Sequence, residues 1–490
     1  MHFPAPRGLG KYLTALLLFG GFGSLLVSKP LYRHFRRERV PEADLHAQFP
    51  LEATIDSPPF CLPEPPSAPE LDPWDASHVV VGPPTKHFRG TRPDCASLVE
   101  IKACTDNLLK DKRYITTWSN AGFTNQFMGY VNMIYLGMIS DRIPIISPFV
   151  PDHHISRDAG ILTFGEVFNL THLRSALRTP LLEWADVKDV APSSSKDPYS
   201  NENVEELGCW STRAINDAEP IRAENVVHHL GVDVSYTRVP LFTRQYPSST
   251  YDAHTTFDKL SALIYPNNPI APLDSYPNMV PSRLGSDAPP EDQLSCFDLL
   301  YYLTSGADEY EWRFAWSPAW RFVGRYVVFN EPLVKLGKEY LRLAIHNGED
   351  AGNEEEIPPF IAVHMRRGDF GRECPDRPED CLVPLDRFVG AVEDVQRELQ
   401  EKHGVHVPLV YATSDETDSE FWAKVSGLGW RYVNHTAAQT VERLGEWHGP
   451  LVDIVAQSLA IGFVGTLDST FSLVSAKRVV DWNDGVSRMV

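Results

Sequence analysis

From Phe360 to the C-terminus, short apolar runs alternate with segments of helical periodicity, and this alternation constrains the fold more than any other feature. Phe360 to Met365 predicts a buried strand, Leu385 to Lys402 an amphipathic helix, Pro408 to Thr413 a strand and Ser419 to Leu428 a helix. Trp430 to Val433 predicts a strand, Leu451 to Ala460 a helix, Phe463 to Gly465 a short strand, and a helix follows from Ser469. Alternation at these lengths predicts a parallel sheet covered by helices on both faces. The same pattern opens the structured region upstream. Tyr114 to Trp118 predicts a strand, Ser119 to Asn125 a turn, Gln126 to Ile139 a helix and Ile143 to Ile146 a strand. The expected class is α/β, with two Rossmann-like domains facing a cleft and the ligand meeting the carboxyl ends of the strands.

At 490 residues the chain exceeds one ordinary domain. The expected boundaries are a cytosolic tail and membrane anchor over 1–40, a Pro-rich stem over 41–94, an N-terminal domain over 95–325 and a C-terminal domain over 326–490. Between Ala185 and Trp320 no clean alternation is visible, and this region is read as the rest of the first domain with long insertions. Gly348 to Glu356 is an acidic connection. Trp312, Trp316 and Trp320, four apart, predict one buried helix face, with sugar stacking by one of them a secondary reading; Met128, Met133 and Met138 predict core packing, and His153-His154 a surface turn, with ligand contact the minor alternative.

Tyr12 to Val27 is an uncharged apolar run, slightly shorter than a comfortable bilayer span. No small-x-small cleavage site follows it, so an uncleaved anchor is expected. Lys29, Arg33, Arg36, Arg37 and Arg39 outnumber Arg7 and Lys11, which by charge alone would leave the body in the cytosol. The glycosylation acceptors Asn169-Leu170-Thr171 and Asn434-His435-Thr436, and a disulfide that could join Cys374 to Cys381, point the other way. The resulting expectation is a single-pass membrane protein of the ER or Golgi with a luminal body. A formal charge of -20 excludes a nucleic-acid partner, and the 7 cysteines form neither a disulfide scaffold nor a zinc motif.

Three segments carry candidate chemistry. HMRRGDF, His364 to Phe370, directly follows an apolar strand, which would deliver His364 and Arg366 to the cleft with Arg367 opposite and Asp369 holding an arginine. An arginine there can bind a pyrophosphate and stabilise charge on a leaving phosphate; a surface ion-pair cluster is the equally weighted alternative. SNAGFTNQ places a turn before a helix, where unpaired N–H groups and the helix dipole suit a phosphate. There Gly122 permits close approach and Asn125 caps the helix or meets a substrate. In FVGTLDSTFS, Ser469, Thr470 and Ser472 sit at a strand-to-helix turn, suited to phosphate oxygens or to ordinary capping. Asp453 is either a dipole-complementing residue or an acceptor for a base amine, and Thr413 to Glu416 is a turn or part of the cleft rim.

Taken in order, strand–GFTNQ–helix, HMRRGD, ATSDE, and an aspartate upstream of FVGT-x-x-STFS resemble the GDP-fucose protein O-fucosyltransferase family and the wider fucosyltransferases with an H-x-R-R-x-D signature. The resemblance covers Tyr114 to Phe149 and Phe360 to Val480. It implies a GT-B architecture and an inverting transfer of fucose from GDP-fucose to a protein hydroxyl or glycan, without bound metal or cofactor. It implies Arg366, Asn125 and His364 as catalytic residues, and Gly122, Phe123, Arg367, Asp369, Asp453, Ser469, Thr470 and Phe471 around the donor. No D-x-D occurs in the chain, so arginine is expected to supply the charge stabilisation. Thr124 stands where many members carry Gly, and no carboxylate lies beside Asn125, so no base for the acceptor is visible. Two alternatives stay open: a relative using another nucleotide sugar or a polysaccharide acceptor, and a catalytically silent GDP- or glycan-binding membrane protein.

Overall fold

The computed structural model describes residues 79–80, 107–118, 121–152, 154–188, 205–217, 219–220, 229–266, 279–346, 356–373 and 381–490. These residues form a mixed α/β body organised on two main sheets. The strands are β1 Tyr114–Thr117, β2 Ile143–Ile146, β3 Leu182–Glu183, β4 Glu205–Ser211, β5 Val232–Arg238, β6 Thr255–Thr256, β7 Met279–Val280, β8 Leu294–Phe297, β9 Leu303–Thr304, β10 Phe360–Met365, β11 Leu409–Ser414, β12 Gly462–Gly465 and β13 Val486–Met489. The helices of eight residues or more are α1 Phe123–Ile139, α2 Leu170–Leu177, α3 Phe257–Ile264, α4 Glu331–Ile345, α5 Leu385–His403, α6 Ser419–Gly427, α7 His448–Ser458 and α8 Thr470–Asn483.

The larger sheet has the order β3-β2-β1-β8-β4-β5-β7, parallel except for β7. The smaller is the all-parallel β11-β10-β12-β13, and β6 and β9 form a short pair of their own. Parallel strands that are apolar on both faces must be covered on both faces, and β1 and β10 are buried along their whole length. Helix α1 lies against β1 and β2 and is buried nearly all round through Phe127, Met128, Tyr130, Val131, Met133, Ile134 and Leu136. Each such side chain contributes about 1.5–3 kcal/mol by leaving water. On the smaller sheet, α5 shows one apolar stripe, Phe388, Val392, Val395 and Leu399, and its C-terminus is closed by Gly404 in the left-handed region. The two halves meet along α8. Arg478 of that helix is fully buried among the rings of Phe127, Phe168, Phe329 and Trp482, with centroids 4.4 to 5.7 Å away. It has no hydrogen-bond acceptor among the described residues, and burial pulls its pKa down to about 9.

The structure departs from the sequence pattern in several places. The segment 185–320 supplies β4, β5, β7 and β8, the centre and one flank of the larger sheet. Cys209 of β4 and Cys296 of β8 are in-register neighbours there and form a buried disulfide. Trp430 to Val433 is not a strand; Arg431 makes only an isolated bridge to Tyr411. Strand β13 has no counterpart in the periodicity. The three tryptophans share no helix face: Trp312 and Trp320 are buried in separate short helices, while Trp316 between them is 42% exposed. Met138, unlike Met128 and Met133, reaches the surface.

The expected single-pass membrane protein is corrected. Among the described residues no helix is long and apolar enough to cross a membrane. The most apolar long helix, α1, has 17 residues and is core, against the roughly 20 a bilayer needs. The run Tyr12 to Val27, positions 348–355 of the acidic connection, and Cys374 lie outside the described residues. Within the stretch expected as stem, Val79 and Val80 are buried; Val80 bridges Leu108, and the Val79 carbonyl accepts the Tyr114 hydroxyl at 2.7 Å.

Candidate active site

The smaller sheet ends at its carboxyl edge in a set of polar residues fixed by the strands themselves. His364 and Met365 close β10, pairing in register with Thr413 and Ser414 of β11, and His364 also pairs with Gly465 of β12. Beyond β12, the Thr466 hydroxyl accepts the Arg366 N–H at 2.8 Å and donates to the His364 carbonyl at 3.2 Å. This clamps the backbone at the point where β10 hands over to Arg366. Strand alternation then separates the two arginines. Arg367 turns away to Glu416 at 2.8 Å and lies 4.3 Å over the Phe421 ring of α6. It therefore braces the loop and is not brought to the Arg366 cluster.

The Arg366 guanidinium is held on three sides. Nη1 pairs with Asp415 at 2.7 Å, and Nη2 pairs with Asp369 at 2.8 Å and donates to His154 Nε2 at 2.6 Å. Asp415 also accepts the N–H groups of Arg367 and Gly368, at 2.8 and 3.0 Å. Burial alone would raise the Asp415 carboxyl, but Arg366 and those two N–H groups outweigh it and hold it below its ordinary value. The glycine of the motif has a steric reason: a Cβ on Gly368 would stand 2.7 Å from Asp415 Oδ2. His154, Asp369 and Asp415 bring potential ligand atoms within 4.8 Å of one another. The Arg366 guanidinium pairs with all three and is the cation of the cluster, so they are not assigned as metal ligands.

His364 is buried beneath this cluster. Its Nδ1 lies 2.7 Å from Ser472 Oγ and its ring 4.8 Å from that of Phe471. Burial, with Arg366 adding to it and Asp415 and Asp453 opposing, lowers its pKa to about 4, so the imidazole is neutral at physiological pH. Ser469 caps α8 by accepting the Ser472 N–H, an ordinary capping role. Thr470, the first residue of α8, reaches across to the other half. Its hydroxyl donates to Asn125 Oδ1 at 2.7 Å and lies 2.7 Å from the Thr124 hydroxyl, which must donate to it. The first residues of α1 and α8 therefore face each other.

Around α1 the roles shift from those expected. Gly122 is the N-cap, with ordinary φ of -63° and nothing within 4 Å of an added Cβ; the positive φ falls on Ala121, at 62°. Ser119 and Asn120 lie outside the described residues. Phe123 packs on Phe149 and Phe168, so its ring belongs to the aromatic core. Gln126, not singled out from the sequence, ties α1 to the chain after β2 by bonding Ala121 and Val150 backbone with its two amide atoms. Asp453 lies within α7, where Oδ1 accepts from Tyr411 at 3.1 Å and lies 3.1 Å from His435 Nε2. Burial would lower the His435 pKa, but Asp453 overrides it and raises it.

The contact that sequence reasoning did not foresee is that of His154, read as part of a surface turn, with Arg366. His154 follows β2, and its loop is docked on the other half: Glu446 accepts both the N–H and the hydroxyl of Ser156 at 2.7 Å, and Trp447 donates to the Gly160 carbonyl at 3.0 Å. Nothing in the local sequence of a His-His turn signals a partner 212 residues away.

No family model matches the sequence, and no curated protein matches it. Among solved structures, the chain is similar to POFUT1 in complex with GDP-fucose, at 14% identity and a TM-score of 0.46, over 77% of this chain and 98% of that one. It is similar to NodZ alpha-1,6-fucosyltransferase soaked with GDP-fucose, at 13% identity and 0.38, over 75% and 93%. The fucosyltransferase NodZ from Bradyrhizobium follows at 13% and 0.37, over 74% and 92%.

Proposed function

We propose that the chain is a glycosyltransferase of GT-B-like build that moves fucose from GDP-fucose to a protein hydroxyl or a glycan, with inversion and without a metal. The observation that carries the reading is Arg366, presented at a parallel-strand end and bonded through its N–H to Thr466, just ahead of α8, whose first residue faces Asn125 of α1. Helix N-termini favour phosphate through their free N–H groups and dipole. A guanidinium fixed at the same sheet edge can meet the charge that develops on a leaving diphosphate. Among the described residues only Oδ1 of Asp453 is engaged, which leaves Oδ2 for an amine of the base. The motif order supplies the donor class.

Calorimetry on the purified protein with GDP, GDP-fucose and UDP-sugars, without added metal, tests this. GDP and GDP-fucose are expected to bind and UDP-sugars to fail. Arg366→Ala is expected to lower GDP-fucose turnover by about 10²–10³, the usual cost of losing one such donor. Absence of GDP binding by the unaltered protein, or full turnover by the variant, refutes the proposal.

A further inference from the structure

We infer that His435 is the residue that makes the donor site selective for guanine, by fixing the Asp453 carboxylate so that its second oxygen meets the amine edge of that base. The inference rests on the reading of the chain as a user of a GDP-sugar, and adds to it the residue that chooses the base.

Both residues stand towards the carboxyl edge of the smaller sheet. Arg431 runs parallel to β11, with its N–H and carbonyl bonded to Val410 and Ala412. The chain leaving it therefore reaches the end of β11 near His435. Asp453 lies in α7, the helix that leads from that edge back to the start of β12. It is near enough to His364, at the end of β10, to oppose the lowering of that residue's pKa. Its neighbours Leu451, Val452, Ile454 and Val455 are buried, yet Asp453 and His435 keep 17% and 28% of their side chains exposed. The pair is open to a ligand.

An ionised carboxylate only accepts, so His435 Nε2, 3.1 Å from Asp453 Oδ1, carries a hydrogen and donates it. The Tyr411 hydroxyl donates to the same oxygen, also at 3.1 Å. Two donors fill the lone pairs of Oδ1 and hold the carboxylate against rotation, which leaves Oδ2 as the acceptor. His435 is itself held on two sides. Its Nδ1 lies 3.0 Å from the hydroxyl of buried Thr440, and its ring stacks on Tyr340 of α4, with centroids 6.0 Å apart. The Thr440 hydroxyl can donate to a neutral ring or accept from a protonated one, so Nε2–H faces Asp453 in either state.

Guanine presents a ring N–H and an amino group side by side, both donors. Adenine offers a bare ring nitrogen at the same edge, and uracil flanks its N–H with carbonyl oxygens. A carboxylate attracts the first and repels the others, which is selection by mismatch as well as by fit. His435 acts through Asp453 and is a positioning residue.

The test is calorimetry with GDP and with inosine diphosphate, whose base lacks only the 2-amino group. The unaltered protein is expected to bind GDP about tenfold more tightly, the worth of one hydrogen bond to a charged acceptor. Two amide variants separate the role of His435 from plain packing. His435→Gln extends a donor to where Nε2 stands, and is expected to keep the GDP preference within about threefold of the unaltered protein. His435→Asn places its amide near Nδ1, where it can still bond Thr440 but falls short of Asp453, and is expected to reduce the preference to about threefold or less. Tyr411→Phe, which removes the other donor and conserves the packing, is expected to reduce it as well. Equal binding of the two nucleotides by the unaltered protein, or an undiminished preference in His435→Asn, overturns the inference and leaves the donor reading standing. An unaltered protein that binds no GDP refutes the function itself, and the role of His435 with it.

Discussion

Adding one methyl group at two glycines should change stability in opposite directions, because the space around them differs. At Gly465, the last residue of β12, an added Cβ would lie 2.6 Å from Phe463 Cε1, 2.7 Å from Ser472 Cβ and 2.9 Å from Ser472 Oγ. Ser472 sits in the first turn of α8 and holds His364, so the strain cannot be relieved by turning a loose side chain. Overpacking of this kind costs about 1–3 kcal/mol. At Gly390, within α5 and exposed, nothing lies within 4 Å, and replacing glycine by alanine in a helix interior gains about 0.8–1 kcal/mol. Urea unfolding of the two variants reads the signs directly. Gly465→Ala should also weaken GDP binding, because the methyl group pushes the start of α8, with Thr470, away from Asn125. Gly390→Ala should leave binding unchanged. A Gly465→Ala protein as stable as the parent would show that α8 is not packed as tightly on β12 as these distances require, and would refute the steric account of this glycine.

His364 provides a pH-dependent test. Its folded pKa is about 4 against an ordinary 6.5, so between those values the unfolded chain binds a proton that the folded chain refuses. Stability must therefore fall as pH drops from 6.5 towards 4, by up to roughly 3 kcal/mol from this residue. His364→Gln should flatten that part of the unfolding-versus-pH curve, and an unchanged slope would contradict the burial. Replacing Cys209 and Cys296 with alanine releases a loop with a sequence separation of 87. On the chain-entropy account that costs about 4–5 kcal/mol, measured as a lowered urea midpoint; a shift under about 1 kcal/mol would mean that the cross-link constrains little of the unfolded chain.

The smaller sheet was legible because its strands are continuous apolar runs separated by helices with a regular stripe. Phe360 to Met365 and Ile143 to Ile146 are strands in both the periodicity and the structure. The errors have physical causes. Trp430 to Val433 has strand composition, but only Arg431 finds backbone partners, in Val410 and Ala412. Strand β13 reads as a polar tail because only Val486 of its four residues is buried. The centre of the larger sheet was hidden because β4 and β5 carry Glu205, Glu206, Asp233 and Arg238 among their apolar residues. Buried Asp233 is satisfied by Ser282, 49 residues away, and such pairing is invisible in local periodicity.

The candidate site divides along the same line. Residues at strand ends, His364, Arg366 and Asp415, could be placed because strand geometry fixes where they point. Asp369, read as holding an arginine, pairs with Arg366; the other partners could not be placed, because each comes from a distant part of the chain: His154 for Arg366, Ser472 for His364, and Asn125 for Thr470. The proposed function asks a chain of charge -20 to bind a diphosphate. Side chains around Arg366 do not make the site positive, since Asp369 and Asp415 together exceed its charge. On the proposed function, the attraction would come from oriented N–H groups at the starts of α1 and α8 and from the Arg366 guanidinium. Affinity should then respond more to changes at Asp369, which pairs with Arg366, than to surface charge elsewhere. Asp369→Asn and a charge reversal at exposed Arg397, compared by GDP calorimetry at low and high salt, separate the two contributions, and a larger effect from Arg397 would refute the local account.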